Sequence, residues 1–197
     1  MVNKISSTPS MDSDGLDYFK NAVGKSKCYL EYGSGGSTIY AANIAKVPSI
    51  ISVESDKNWN KDVRASVDNP QSKIFIEHCD LGETGDWGTP KNKDRINDFW
   101  RYSFQPWDTA KKYLLVPDVV LVDGRFRVSA FLTSLLCSRV GTYLLFDDYF
   151  DRSEYFIVEE FCGLHEKHGR MGVFIKTSAY SQVEITRMIA KYSINWG

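Results

Sequence analysis

The chain has 197 residues, 24 of them basic and 25 acidic, for a formal net charge of −1; that length suits one domain on a single core. Hydrophobic residues make up 43% and aromatics 14%, far more than a disordered chain carries. With no basic excess to neutralise phosphates, nucleic acid and charged membrane surfaces are excluded as general partners.

Residues 1–15 read as a loose, flexible tail, and residues 16–197 as a single domain. Leu16, Phe19 and Val23 recur at helical spacing and predict a short leading helix. "CYLEY" (28–32) is a strand, and Tyr40, Ile44 and Val47 mark one face of the helix after it. "SIISVE" (49–54) is the second strand, followed by a helix with Asp56 as N-cap and Trp59, Val63 and Val67 on one side. "KIFIEH" (73–78), "DVVLVD" (118–123) and "TYLLFDD" (142–148) are the third to fifth strands. Helices are expected over roughly 128–136, 152–162 and 185–192, and "MGVFIK" (171–176) is a sixth strand. His165 and His168 fall in a surface turn.

Near-continuous apolar strands separated by amphipathic helices predict an α/β, Rossmann-like, three-layer fold: a doubly wound, mainly parallel sheet of six to seven strands, helices on both faces. Ligands of such sheets bind beyond the carboxyl ends of the strands, where this chain places acids and glycines. Residues 79–117 break the rhythm and hold Trp87, Trp100 and Trp107. They are either a lid over a binding site, with Trp87 against substrate, or a mini-core on the domain flank.

Four scattered cysteines, Cys28, Cys79, Cys137 and Cys162, have no C-x-x-C spacing and read as buried thiols of a reducing compartment. The start is polar, without the apolar segment of a signal peptide, and no run reaches the ~18 apolar residues of a membrane span. A cytoplasmic protein with a small-molecule substrate is expected, and a homo-oligomer stays open.

The turn "LEYGSGGST" (30–38) follows the first strand. Gly33, Gly35 and Gly36 let the backbone approach a ligand, and the helix beyond directs free N–H groups at it. A dinucleotide fingerprint would need glycine at position 38, where Thr38 stands, so NAD is the weaker fit. Glu31 suits a ligand carrying a positive group, as S-adenosylmethionine does. Glu54 is placed for ribose hydroxyls, beside Ser55, and Asp80 for the adenine amino group. A helix-capping turn with no cofactor is the plain alternative.

"LEYGSGGST" resembles the first motif of class I S-adenosylmethionine-dependent methyltransferases, E/D-x-G-x-G-x-S/T, and "SVES" fits the same family. The resemblance implies a seven-stranded type of sheet with S-adenosylmethionine at the ends of strands one to four. Carried onto this chain, its binding residues are Glu31, Gly33, Ser34, Gly35, Ser37, Thr38, Glu54, Ser55 and Asp80.

"VDGRFRV" and "LLFDDYFDR" end two strands expected to be neighbours, which gathers Asp123, Asp147 and Asp148. Such a cluster suits a hard divalent ion such as Mg²⁺, or else the acids cap a helix and accept backbone bonds. The segments resemble metal-dependent O-methyltransferases of the catechol and macrocin types, in which these acids hold the metal; Phe126 stands where the macrocin type has histidine. They also resemble a group of bacterial methyltransferase-like proteins. Arg125 and Arg127 could grip a substrate carboxylate or phosphate, or pair with the nearby acids and leave no room for metal. Asp123 and His78 are the candidates for moving protons, although His78 also reads as a satisfied buried histidine.

The functional expectation is O-methylation of a small molecule from S-adenosylmethionine, with metal assistance left open. A catalytically silent methyltransferase-like ligand-binding domain is the alternative, and an NAD-dependent oxidoreductase a more distant one.

Overall fold

The computed structural model describes residues 4–196. Its centre is one seven-stranded sheet in the order β3-β2-β1-β4-β5-β7-β6. The strands are β1 (Cys28–Tyr32), β2 (Ser49–Glu54), β3 (Lys73–His78), β4 (Val119–Val122), β5 (Tyr143–Phe146), β6 (Leu164–His168) and β7 (Met171–Ile175). The first five pair in parallel; β7 runs antiparallel to both β5 and β6. Sequence placed five of these strands to within a residue or two, as well as β7. It missed β6, whose "LHEKH" is an exposed polar edge without apolar alternation, so His165 and His168 lie on a strand rather than in a turn.

Side-chain alternation divides the core into two layers. Leu30, Tyr32, Val120, Val122, Leu144 and Phe146 face a core shared with helices α4 (Trp100–Lys112), α5 (Arg127–Cys137) and α6 (Gln182–Tyr192). Tyr29, Leu121, Leu145 and Val173 face the other side, against helix α1 (Ser13–Lys25) and the helix after the glycine turn. That helix, α2 (Gly36–Ile39), continues as a π-helical turn over Tyr40–Ile44. The wider turn rotates the buried face onto Ile39, Ala41 and Ala42, and leaves Ile44 exposed, contrary to the expected 40/44/47 stripe. Helix α3 (Lys57–Ser66) starts as predicted, with Asp56 accepting from Trp59 N at 2.8 Å.

Residues 100–112 of the tryptophan-rich segment form α4, the ordinary crossover helix between β3 and β4; the irregular part is 81–98. Trp107 is a core residue whose Nε1 donates to Tyr32 Oη at 2.8 Å, and that hydroxyl donates to Ser103 O at 2.7 Å. The helix expected over 152–162 is 3₁₀ over Ser153–Glu160; Tyr155 and Val158, three apart, are its buried residues. Residues 5–12 make specific contacts where a loose tail was expected: Ile5 N donates to Ser66 Oγ, and Asp12 caps α1 while accepting from Arg170 N. All four cysteines are free, and Cys137 is exposed rather than buried.

The chain reverses direction across the sheet between β1 and β4, and there the loops after the two strands touch. A Cβ on Gly33, which has φ +88°, would lie 2.9 Å from Asp123 O and Gly124 Cα; one on Gly124 would lie 2.7 Å from Gly33 N and closer still to Tyr102 Oη. Gly124→Ala should therefore cost about 1–3 kcal/mol or more through overpacking, read as a fall in the denaturant midpoint; an unchanged midpoint would show that the loops can part freely.

Candidate active site

A cavity of about 740 Å³ opens at the carboxyl ends of β1, β2, β4 and β5, within the range of small-molecule sites and at the switch point of the sheet. Gly33, Ser34, Gly35, Ser37, Glu54 and Ser55 line it as expected. Glu31, Thr38 and Asp80 do not, and each departure has a physical reason.

Glu31 follows Tyr29 by two positions on β1, so both point to the α1 face. Its carboxylate is fully buried and accepts from Tyr29 Oη at 2.8 Å, Ser37 Oγ at 2.7 Å and Thr38 Oγ1. Burial raises its pKa, and the three hydroxyls oppose that rise. Thr38 Oγ1 in turn accepts from Gly35 N at 2.9 Å. Glu31 thus fixes the glycine turn from behind and presents no charge to a ligand. Sequence reasoning that used it to favour a cationic ligand is corrected on this point.

The glycines differ in what requires them. Gly33 is demanded by the β4 loop, and Gly36 by Thr8, whose carbonyl oxygen would stand 2.5 Å from a Cβ. Gly35 is extended (φ 173°), and the one heavy atom near a Cβ there is Trp59 Cζ2 at 3.9 Å. No heavy atom of the described protein would crowd a side chain at position 35. A side chain there would stand in the open space of the cavity.

Glu54 ends β2 with its carboxylate facing the cavity. It accepts from Ser34 N at 3.1 Å, Ser55 N at 2.7 Å and Asp56 N at 2.8 Å. Burial raises its pKa against these three bonds. His78 sits behind, with Nε2 3.1 Å from Ser55 O; that nitrogen must carry the proton to bond a carbonyl, and the ring does not line the cavity. His78 is therefore the satisfied histidine and no acid–base group. Asp80 turns outward to Gly82 N and Arg95. Trp87 lines the mouth, 85% exposed and left-handed (φ 57°), on a short loop tied down by the Ser55 Oγ bond to Gly88 O.

On the β4–β5 side, Asp123, Asp147 and Asp148 do converge, with carboxylate oxygens within 4.8 Å of one another. The cations they share in this structure are guanidinium groups. Arg127, 6% exposed, bridges Asp123 at 3.0 Å and Asp148 at 3.1 Å, and also donates to Asp147 O and Gly124 O. Arg170 bridges Asp148 at 2.8 Å and Asp147 at 3.3 Å, and donates to Ser10 O at 2.8 Å. Of the alternatives open in the sequence, Arg127 takes the ion-pair role; Arg125 lines the same cavity without an acidic partner among the described residues. Sequence reasoning missed Arg170, because its approach to Asp147 depends on the antiparallel β7 beside β5. It also missed Pro9 and Ser10 as cavity walls. The one local sign of Arg170 was Gly169, left-handed in the tight turn between β6 and β7.

No protein-family model and no curated protein matches the chain. Among solved structures, a methyltransferase-like protein from Silicibacter pomeroyi is 31% identical with a TM-score of 0.84, over 95% of this chain and 97% of that one. A putative O-methyltransferase from Klebsiella pneumoniae is 17% identical with a TM-score of 0.45, over 93% and 70%, and bears on neither fold nor function here. The fold and its rim of glycine turn and acid-ended strands are those of a Rossmann-like methyltransferase. The chain belongs to the methyltransferase superfamily, alongside the methyltransferase-like protein of S. pomeroyi. Among the described residues, no helix is long and apolar enough to cross a membrane.

Three carboxylates facing two guanidiniums leave one negative charge unmatched. Burial chiefly, and then the neighbouring Asp147 and Asp148 charges, push Asp123 up to about 7 against the pull of Arg127. Between the ordinary value of about 3.9 and about 7, the folded protein thus binds more protons than the unfolded chain, so stability falls as pH rises through that window. Asp123→Asn should flatten this fall, measured by denaturant titrations at a series of pH values; an unaltered slope would place the extra proton elsewhere.

Proposed function

We propose that the protein is an S-adenosylmethionine-dependent methyltransferase acting on an oxygen of a small molecule. The observation that carries this reading is Gly35, a glycine whose Cβ no described protein atom would crowd, opening onto a cavity also lined by Glu54, whose carboxylate accepts from the neighbouring Ser34 N. The donor set fits the cofactor: the Gly33–Gly35 backbone suits its amino-acid end, and the Glu54 carboxylate is an acceptor for ribose hydroxyls. When bound, S-adenosylmethionine supplies an electrophilic methyl group on a sulfonium.

The chain's own residues do the rest. Glu31, through Ser37 and Thr38, holds the glycine turn in shape before ligand arrives. Trp87 covers the mouth. Asp123, at the β4 rim and held above the usual carboxylate range, is the group to accept the hydroxyl proton as the acceptor oxygen attacks. Magnesium has no part in this reading, because Arg127 and Arg170 already bridge the three aspartates and a hard cation would have to displace them. The Asp123–Arg127 pair favours a second reading, a domain that binds the cofactor without turning it over. Methyl transfer to any acceptor would end that alternative.

Calorimetric titration of S-adenosylhomocysteine, with NAD as parallel control, tests the assignment. Micromolar binding of the first alone is expected, and heat from NAD alone would overturn it. Gly35→Val should weaken S-adenosylhomocysteine at least about tenfold, at a stability cost of about 1 kcal/mol because Gly35 is the N-cap of α2 and valine is a poor cap. Undiminished affinity in that variant would move the cofactor away from the turn.

A further inference from the structure

Four arginines line the cavity: Arg125, Arg127, Arg152 and Arg170. Arg127 and Arg170 are saturated by the aspartates. Among the described residues, Arg125 and Arg152 have no acidic partner. The Arg125 side chain makes no hydrogen bond to any of them, and its Nε is buried without a partner. Arg152 is steadied by Tyr155, donating to its hydroxyl at 3.2 Å with the guanidinium carbon 5.8 Å from the ring centroid. Tyr155 is itself a core residue, its ring 4.8 Å from that of Phe146. The other anchor is backbone: Arg125 N donates to Tyr102 Oη at 3.3 Å, next to the tightly packed Gly124.

These two cations are half-buried on one cavity, and burial first, then repulsion from Arg127 and from Arg152, makes the charged form of Arg125 costly. A planar guanidinium that meets no carboxylate of its own, beside a second of the same kind, is arranged for an oxyanion from outside. They come from the loops after β4 and β5, across the cavity from the Gly35–Glu54 side. We propose that Arg125 and Arg152 form an anion subsite for the methyl acceptor, so that the acceptor is a small molecule bearing a carboxylate or phosphate. The subsite rests on the methyltransferase reading and extends it by naming the acceptor's charge class, and it corrects the expected partner of Arg125 from Arg127 to Arg152.

The test is calorimetric titration of inorganic phosphate, and separately of acetate, at constant ionic strength into protein saturated with S-adenosylhomocysteine, which blocks the glycine turn. At least one anion should bind, and the arm that binds more tightly names the group. Arg125→Met and Arg152→Met should each weaken it about 10- to 100-fold, as loss of a charge-assisted bond implies. S-adenosylhomocysteine affinity should shift less than about threefold in the same variants, which also shows that they are folded. If a methionine variant fails to fold, Arg125→Lys and Arg152→Gln take its place, with partial and full loss expected. No binding of either anion to the wild type, or binding unchanged in the variants, overturns the subsite. Should S-adenosylhomocysteine itself not bind, the cofactor assignment falls, and the same anion titrations into the free protein still decide the subsite.

Discussion

The backbone contact between Gly33 and Gly124 is the constraint on which the site depends. Two strands adjacent in the sheet but 90 residues apart in sequence end in loops that meet without side chains between them. That contact sets the distance between the glycine turn on one side and the acid and arginine residues on the other. Tyr102 presses on the same point from α4 and accepts from Arg125 N, so the crossover helix, the turn and the β4 loop are packed against one another there. A cavity whose two halves must act on each other's ligands needs this kind of fixed separation.

Behind the contact, two buried polar systems hold the walls. On the β1–β2 side a single carboxylate, Glu31, gathers hydroxyls that would otherwise be left unpaired between the sheet and α2. On the β4–β5 side three carboxylates and two guanidiniums form a network with an odd charge. Neither system is cheap to bury, and removal of one member strands the others. Their value is shape: each turns a flexible strand–loop junction into a fixed surface.

The fold was legible in the sequence because the parallel strands are nearly uniform apolar runs ended by acids, and only a sheet covered on both faces buries such strands completely. The roles of individual acids were less so. "LEYGSGGST" placed Glu31 beside the turn correctly, yet which face of the sheet it takes is settled by the alternation from Tyr29; the motif includes the hydroxyl of Ser37 but does not say that it and Thr38 bond the acid. The clustering of Asp123, Asp147 and Asp148 was visible from strand order. The cations that neutralise them were only half visible, since Arg127 is local while Arg170 arrives on a hairpin whose first strand is polar and carries no periodic signal. The place of Arg152 was not legible, because its geometry rests on Tyr155 in a 3₁₀ segment.

The amino-terminal segment gives the cavity part of its wall through Pro9 and Ser10, and its fixed points are far away in sequence: Arg170 binds Asp12 and Ser10 across 158 and 160 positions. The same segment is also held near its start, by Ile5 on Ser66 Oγ and by Thr8 against Gly36. The wall at Pro9 and Ser10 is thus strung between the glycine-turn side of the sheet and the hairpin that carries Arg170, and its contacts with Arg170 close a loop of nearly the whole described chain, the kind that costs most entropy to form.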